Sequence, residues 1–341
     1  MRIIVDTMGS DKGCAEITKG IIEAVNEFGI DAVAVGNAAE ITPIIAEAGL
    51  ESRIEVVDAP IFVTMEDDHN VVIRGEKAKS SMVTAMKLLA DGKGDAVVTA
   101  GNTGATITAA TLYISRIRGI RRAALAPIMP LGGRGGVLLI DCGANVVCTP
   151  EYLLQFAFMG SYYMRFVLHH GGDELPRVGR LNIGTESHKG TELQQEAFKL
   201  LTEAHEAGTL NFIGNIEGRD IPFGVADVVV ADGFSGNVCL KTLEGMGKLF
   251  GQELKRIMYA SLKTKIGGLM LKKDLNGLKK QLDYKEIGGS PLIGISAPVF
   301  KAHGSADAFT LKNAIKQSIR YVEGDIIRRI TENIDKMKVS R

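Results

Sequence analysis

The stretch Asp227–Val238 (DVVVADGFSGNV) decides the fold of this 341-residue chain. Its three consecutive valines predict a buried strand, and two glycines within the next few residues predict a tight turn. We expect a helix from Val238 to about Leu249. A strand, a polar turn and a helix start in this order place short polar side chains in a crevice at the carboxyl end of the strand. The first candidates for a binding site are Asp232, Ser235, Gly236 and Asn237.

Strand and helix patterns alternate along most of the chain. Short β-branched segments at 3–5, 32–35, 96–99 and 137–140 are followed by polar turns and by segments with helical spacing of apolar residues. This alternation predicts an α/β fold in three layers, α/β/α, with a mostly parallel, doubly wound sheet. Apolar residues make up 45% of the chain, which is enough to form the core of a single α/β domain over residues 1–341.

Four polar turns follow predicted strands and contain the residues best suited to bind a ligand. These turns cover residues 99–105, 141–145, 184–190 and 232–237. Ligands of α/β proteins bind where the carboxyl ends of parallel strands meet, so we expect all four turns to share one edge of a single sheet. Glycine and asparagine also recur in turns for purely structural reasons, and this alternative remains open for each turn. The weaker candidates for phosphate or substrate contact are Asn102, Asn145 and His303.

The turn 184–190 (GTESHKG) is the most suggestive site for phosphate. Thr185 is placed to cap the helix that follows, where free backbone amides bind anions. Lys189 adds a positive charge, which is unfavourable at the start of a helix and is therefore not explained by helix stability. We interpret Gly184, Thr185 and Lys189 as part of a phosphate site; the alternative is an exposed loop lysine.

Composition and charge exclude several classes of protein. The 40 basic and 40 acidic residues cancel and tryptophan is absent, so we expect no nucleic-acid binding. Neither a P-loop nor a full dinucleotide-binding glycine motif occurs, which disfavours a P-loop kinase and a dinucleotide-binding protein. The four cysteines show no CxxC pair and no metal-ligand spacing stands out, so we expect neither a metal nor a cofactor. No apolar run is long enough to span a membrane, which favours a cytoplasmic protein.

A covalent mechanism is the weaker alternative. The segment Gly233–Asn237 (GFSGN) resembles the G-x-S-x-G nucleophile elbow, but its second glycine comes one residue early. Ser235 could form a hydrolase triad with His303 and an aspartate. Cys142 or Cys239 as an acyl-carrying nucleophile is less favoured, because neither has an obvious histidine partner in the sequence.

A basic amphipathic segment at 250–286 interrupts the α/β pattern. Between residues 255 and 285, nine basic residues alternate with apolar ones, which predicts a protruding helical hairpin with a break at Gly267–Gly268. One interpretation is a hairpin packed on the core with a solvated basic face. The other is a surface for an anionic membrane or an acidic protein partner. The residues assigned to this surface are Lys263, Lys265, Leu269, Met270, Lys272, Lys273, Lys279 and Lys280.

Seven short motifs, spread over nearly the whole chain, form one pattern: 6–11 (DTMGSD), 100–105 (AGNTGA), 141–145 (DCGAN), 184–190 (GTESHKG), 215–220 (NIEGRD), 232–237 (DGFSGN) and 301–305 (KAHGS). This pattern resembles the PlsX family, the phosphate:acyl-[acyl carrier protein] acyltransferases of bacterial phospholipid synthesis. The chain departs from the family pattern at Thr7 and Ser10, where alanine and glycine are usual, and at Ala306, where a second serine is usual. The loop 66–79 is also atypical, so ligand contacts from it are not carried over.

The resemblance implies a fold akin to phosphotransacetylases and the isopropylmalate dehydrogenase group, assembled as a homodimer. It implies transfer of a fatty acyl group from acyl carrier protein to inorganic phosphate. It also implies peripheral membrane association, so that a membrane glycerol-3-phosphate acyltransferase can take the acyl phosphate. It points to Lys189 and Asn237 as catalytic residues. We expect Lys189 to hold phosphate and Asn237, with amides near Gly236, to stabilise the thioester oxyanion.

Two other classes of protein remain open. A non-catalytic scaffold for acyl carrier protein or membrane would use the basic segment alone and would cause no phosphate-dependent loss of thioester. A dehydrogenase or acetyltransferase on the same fold would bind NAD or coenzyme A in a saturable way.

Overall fold

The computed structural model describes residues 1–131, 135–168, 174–275, 277 and 283–338. Within them, the strands form two sheets, one of seven strands and one of five. The strands are β1 (Arg2–Asp6), β2 (Asp31–Gly36), β3 (Ile54–Asp58), β4 (Ala96–Thr99), β5 (Ala124–Leu125), β6 (Ile128–Met129), β7 (Val137–Ile140), β8 (Arg177–Leu181), β9 (Asn211–Ile216), β10 (Val228–Val230), β11 (Gly289–Ile293) and β12 (Val299–Ala302).

Helices separate most consecutive strands, as the sequence predicts. Short 3-10 segments lie at His69–Val72, Glu76–Lys79, Gly218–Phe223, Tyr284–Glu286 and Ile334–Met337. The α-helices with defined bounds are α1 (Cys14–Phe28), α2 (Ala38–Glu47), α3 (Ser81–Ala90), α4 (Thr103–Tyr113), α5 (Pro150–Phe166), α6 (Glu192–Glu206), α7 (Gly233–Tyr259), α8 (Leu262–Met270), α9 (Ala308–Glu323) and α10 (Ile326–Glu332).

The strand order confirms a mostly parallel, doubly wound architecture. The first sheet has the order β3-β2-β1-β4-β12-β11-β5, and the second has the order β6-β7-β10-β8-β9. Among the strands named above, the antiparallel pairs are β11 with β12, β11 with β5, and β6 with β7. The turn at 99–105 follows β4 and therefore belongs to the first sheet, whereas the other three turns belong to the second. The expectation that all four turns share the edge of one sheet is wrong.

Successive side chains of a strand point to opposite faces of its sheet, and both faces pack against helices. On β1, Ile3 and Val5 pack in a core that includes α1 and α9, whereas Ile4 packs on the opposite face with α3 and α4. On β10, Val228 belongs to the large core with α5 and α6, and Val229 packs on the face covered by α7. The period of two along each strand thus produces the predicted α/β/α layers.

The chain crosses between the two sheets at β5 and β6, a pair of two-residue strands that the sequence did not reveal. The Ala126 amide donates to the Pro291 carbonyl in the first sheet (3.1 Å), and the Leu139 amide donates to the Pro127 carbonyl from the second (3.0 Å). One hydrophobic core contains residues of both sheets. The two sheets are therefore joined by hydrogen bonds and by a shared core.

Several element boundaries differ from the prediction. Helix α7 begins at Gly233 rather than at Val238, because Asp232 caps it. Helix α6 is capped by Thr191 in a capping box with Gln194, so the predicted cap at Thr185 is wrong. Strand β9 continues through Gly214–Asn215, at an irregular register with β8, rather than ending there.

The basic hairpin exists, but its break lies elsewhere. Helix α7 ends at Tyr259 and Ser261 caps α8, so the chain turns about six residues before the predicted break at Gly267–Gly268. Gly268 is instead buried inside α8, where a Cβ atom would lie 2.8 Å from Met258 Cε. The close approach of α8 to α7 explains the glycine. Lys279 and Lys280 lie outside the described residues.

Candidate active site

Three of the predicted turns meet because their strands are neighbours in register. Strand β10 lies between β7 and β8, with Val230 opposite both Ile140 and Arg180. The strands are parallel, so their carboxyl ends lie at one edge of the second sheet. The amides of Asp141 and Ala231 extend this pairing by one step, to the carbonyls of Ala231 (3.0 Å) and Ile140 (2.8 Å). The turns after β7, β8 and β10 therefore line one crevice.

The start of α7 is built by Asp232 and Ser235. The Asp232 carboxylate accepts the Ser235 amide (2.9 Å) and the Ser235 hydroxyl (2.8 Å), which is an N-cap with both carboxylate oxygens in use. Gly236 allows the helix to pack against the neighbouring turn, and Asn237 follows it as the fifth residue of the helix. Asp232 and Ser235 thus act here on helix geometry, and their predicted contact with substrate stays a prediction.

The turn after β7 is organised by the buried carboxylate of Asp141. This carboxylate accepts the amides of Leu125 (2.9 Å), Ala144 (3.2 Å) and Asn145 (2.6 Å), and also the Asn145 side chain (3.0 Å). Burial nonetheless raises the pKa of Asp141 to about 6. The Asn145 carbonyl in turn accepts the Gly233 amide (2.8 Å), so this turn also fixes the start of α7.

The loop 184–190 presents Lys189 from the carboxyl end of β8. The Lys189 amide donates to the Glu186 carbonyl (3.2 Å), and the Asn182 side chain donates to the Lys189 carbonyl (3.0 Å). The buried Gly184 gives the lysine stem room, because a Cβ atom there would lie 3.2 Å from Lys189 Cγ. Thr185 is exposed in the same loop.

Lys189 and Asn237 differ in one respect from Asn145, Asp232 and Ser235. Neither the ammonium group of Lys189 nor the side-chain amide of Asn237 has a hydrogen-bond or ion-pair partner among the residues that the structure describes. Asn237 is exposed next to Gly143, and Lys189 is half-buried. Asn145, like Asp232 and Ser235, is instead engaged within the protein. The two predicted catalytic groups are thus available to a ligand.

Asn102 follows β4 of the first sheet, and both polar atoms of its side chain form hydrogen bonds within the protein. Its side-chain oxygen accepts the Ala105 amide (3.0 Å) and caps α4, while its amide group donates to the carbonyls of Thr64, Met65 and Asp67, each at 3.2 Å. Asn102 therefore ties the loop before α3 to the start of α4. A contact between Asn102 and phosphate stays a prediction.

A buried pair of charges that the sequence reading missed underlies the first-sheet turns. Asp6 is the last residue of β1, and Lys301 lies within β12. Both side chains are buried. Asp6 accepts the Thr99 hydroxyl (2.6 Å), and Lys301 donates to the Ala100 carbonyl (3.3 Å). Burial lowers the pKa of Lys301 to about 8 and raises that of Asp6. Both residues belong to motifs quoted above, and this membership was the signal by which the sequence could have pointed to them.

His303 lies in the turn after β12, a strand of the first sheet. Its Nδ1 atom is 2.8 Å from the Ser305 hydroxyl. Burial, and then the positive charge of Lys241 on α7, lowers the pKa of His303. This effect of Lys241 indicates that the part of α7 around Lys241 lies near the turn after β12.

The covalent alternative finds no support in this geometry. The Ser235 hydroxyl donates to Asp232, and His303 Nδ1 lies 2.8 Å from the hydroxyl of a different serine, Ser305. Burial raises the pKa of Cys142 and of Cys239, so both thiols are protonated at neutral pH and are poor nucleophiles. Among the described residues, no cluster of side chains has the composition of a metal site.

Solved structures identify the fold class. The chain superposes on a phosphotransacetylase from Streptococcus pyogenes with a TM-score of 0.62 at 14% identity, covering 94% of each chain. The EutD phosphotransacetylase from Staphylococcus aureus gives 0.59 at 16% identity, covering 95% of this chain and 94% of that one. A 4-hydroxythreonine-4-phosphate dehydrogenase from Klebsiella pneumoniae gives 0.53 at 14%, covering 95% and 98%. The predicted phosphotransacetylase-like α/β/α fold is confirmed.

Sequence relatives then identify the family. Residues 1–329 match the family described as fatty acid synthesis protein. The phosphate acyltransferase of Thermoanaerobacterium thermosaccharolyticum is 42% identical over 335 residues, covering 98% of this chain and 97% of the relative. That of Oceanobacillus iheyensis is 42% identical over 335 residues, covering 98% of each. The chain belongs to this fatty acid synthesis family, the PlsX family that its motifs predicted.

Proposed function

We propose that this protein transfers a fatty acyl group from acyl-[acyl carrier protein] to inorganic phosphate and releases acyl phosphate for phospholipid synthesis. The observation that carries the proposal is the availability of two groups at one sheet edge, the ammonium of Lys189 and the amide of Asn237, in a chain related to phosphate acyltransferases. One is suited to hold a phosphate anion, and the other is suited to donate to an oxyanion.

In the proposed reaction, an oxygen of inorganic phosphate attacks the thioester carbonyl carbon directly. Lys189 holds the phosphate and offsets part of its charge. Asn237 donates to the carbonyl oxygen as negative charge develops on it. The carbon–sulfur bond then breaks, the carrier leaves as a thiolate that takes up a proton, and the acyl group remains bonded to phosphate. Because phosphate is itself the nucleophile, the protein needs to position two reactants and stabilise charge rather than form an acyl-enzyme.

The test is incubation of the protein with an acyl carrier thioester, with and without inorganic phosphate. We expect acyl phosphate, trapped by hydroxylamine as the hydroxamate, only when phosphate is present, and free carrier thiol in equal amount. A thioester level that does not change with phosphate would instead favour the non-catalytic scaffold. Faster transfer from acyl coenzyme A than from the carrier would favour the coenzyme A-dependent alternative, and saturable NAD binding would favour a dehydrogenase.

The hairpin formed by α7 and α8 supports a second part of the proposal, peripheral association with an anionic membrane. The 27 residues of α7 extend about 40 Å. Leu262, Met270 and Leu269 are 76%, 81% and 68% exposed, and Lys263 and Lys265 are exposed beside them. Apolar side chains interleaved with lysines match an interfacial helix better than a solvated one. No helix among the described residues is long and apolar enough to cross a bilayer.

The acidic carrier protein is the other proposed partner of this surface, and exposed Lys272 and Lys273 continue its basic character beyond α8. Association as a homodimer and transfer of the product to a membrane glycerol-3-phosphate acyltransferase complete the proposal. Sedimentation of the purified protein tests the first, and a coupled assay with such an acyltransferase tests the second.

A further inference from the structure

Arg180, on an inner strand of the second sheet, has an unusual environment for a charged side chain. It lies on β8, and its relative exposure is 1%. Its Nε atom donates to Asn215 Oδ1 (2.9 Å) and Nη2 donates to the same oxygen, while Nη1 finds no acceptor in the part of the chain that the structure describes. Burial lowers the pKa of Arg180 to about 10, so the group remains charged at neutral pH. A full positive charge is thus buried against one neutral hydrogen-bond acceptor and the ring of Phe198, whose centroid is 5.7 Å from Arg180 Cζ.

This arrangement fixes the orientation of the Asn215 amide. A guanidinium group has only donors, so the oxygen of Asn215 must face Arg180 and the NH₂ group must point away from it. That NH₂ group donates to the Glu186 carbonyl (2.8 Å). A rotated amide would place NH₂ against a buried cation and would leave the guanidinium without its acceptor, which is costly in a low-dielectric interior.

The carbonyl that Asn215 holds belongs to the loop of Lys189. The Glu186 carbonyl accepts both the Asn215 amide and the Lys189 backbone amide (3.2 Å). Asn182 holds the Lys189 carbonyl from the other side (3.0 Å). Hydrogen bonds therefore hold the peptide groups on both sides of Lys189. The bond to the Glu186 carbonyl is connected, through Asn215, to the buried charge of Arg180.

We propose that Asn215 and Arg180 are positioning residues for Lys189: the buried guanidinium orients the Asn215 amide, and the amide sets the loop that presents the lysine to phosphate. The inference rests on the proposed role of Lys189 in holding phosphate. Neither residue needs to touch the substrate, because misplacement of a binding group by about 1 Å is enough to cost on the order of 10² in rate.

The sharpest test is Asn215→Asp. The aspartate keeps an acceptor for Arg180 and makes it an ion pair, but it removes the NH₂ donor and sets a carboxylate oxygen against the Glu186 carbonyl. We expect a folded protein with a melting temperature near that of the wild type. We expect the KM for phosphate to rise at least about tenfold, with a smaller change in the KM for the acyl carrier. Unfolding of this variant would overturn the inference, because it would show that a carboxylate cannot replace the Asn215 amide as the partner of Arg180.

Asn211→Asp is the matched control on the same strand. The Asn211 side chain donates to the Leu175 carbonyl (3.1 Å), which is the same kind of contact at the other end of β9. This variant should keep the wild-type KM for phosphate. An equal rise in KM for both variants would mean a general effect of charge in β9 and would overturn the positioning role, as would a wild-type KM in Asn215→Asp.

A readout independent of activity separates this inference from the proposed function. Amide hydrogen exchange at residues 184–190 should be faster in Asn215→Asp and unchanged in Asn211→Asp. If the wild type forms no acyl phosphate, the proposed function fails, while the exchange result still decides whether Asn215 holds the loop. If the wild type is active and exchange does not respond to Asn215→Asp, the inference fails by itself.

Discussion

Gly236 packs directly on the backbone of Asp141: a Cβ atom on Gly236 would lie 2.0 Å from the Asp141 carbonyl oxygen. Real Cβ atoms do not approach other atoms so closely, so only glycine permits this packing of α7 on the turn after β7. The amide of the other glycine, Gly233, donates to the Asn145 carbonyl (2.8 Å). Two glycines thus place the first turn of α7, and Asn237 with it, at the edge of the sheet.

Gly236→Ala should therefore displace the start of α7. We expect a loss of stability of about 1–3 kcal/mol from overpacking and a fall in transfer rate on the order of 10². Gly245→Ala on the same helix is the matched control, because a Cβ atom there meets nothing within 4 Å. It should stabilise the protein by about 0.5–1 kcal/mol and keep full activity. Thermal unfolding and acyl phosphate assays of both variants check this, and equal effects would contradict the packing argument.

Asn237→Ala should reduce catalysis without affecting the fold. Its side chain is exposed and has no partner among the described residues, so its removal breaks no internal contact. We expect kcat to fall by roughly 10²–10³, the typical loss of one oxyanion donor, at an unchanged melting temperature. Val238→Ala, the next exposed position on α7, is the control. Near-full activity of Asn237→Ala would exclude the proposed role.

Lys189→Met should weaken the use of phosphate in particular. Methionine keeps most of the aliphatic stem and removes the charge, so we expect the KM for phosphate to rise by about 10² and the KM for the acyl carrier to change little. Lys199→Met on α6 removes a charge from an exposed position away from the loop and should behave as wild type. Steady-state kinetics with phosphate as the varied substrate decide between the two outcomes, and a parallel rise in both KM values would argue against phosphate binding.

Asp141 should make stability depend on pH. Its pKa is raised from 3.8 to about 6, so between these values the folded protein binds more protons than the unfolded chain. The favourable contribution of the protonated form is present below about pH 4 and is lost as the pH rises through 6, a change of about 3 kcal/mol. Denaturant unfolding of wild type and Asp141→Asn from pH 4 to 7 should show this difference. A constant difference between the two proteins would contradict the raised pKa.

The hairpin should bind anionic vesicles through its lysines. We expect Lys263→Glu/Lys265→Glu to lose flotation with vesicles that contain anionic lipid, because each reversed charge removes about 1 kcal/mol of attraction or more. Lys93→Glu/Lys199→Glu makes the same change at exposed positions elsewhere and should float as wild type does. If the hairpin variant floats normally but has a raised KM for the acyl carrier, the surface serves the carrier rather than the membrane.

Much of the fold could be predicted because its signals are local. Alternation of buried strands and amphipathic helices is a property of neighbouring residues, so β1, β4, β7 and β10 were found within one or two residues of their bounds. The two-residue strands β5 and β6 were missed, because their pairing depends on partners far along the chain. Helix α7 begins at Gly233 rather than at the predicted Val238, because Asp232 caps it. The sequence pattern does not distinguish residues of a polar turn from residues of a first helical turn.

The sequence by itself determined the alternating α/β architecture and the family, and it pointed through its motifs to Lys189 and Asn237. Only the tertiary structure decided that the sheet divides in two and that Asn102 and Asn145 are occupied by the protein while Lys189 and Asn237 remain open. It also decided that Arg180 is buried on Asn215, 35 residues away. The physical reason is that hydrogen-bond partners and desolvation come from strands distant in sequence, whereas periodicity reports only on neighbours.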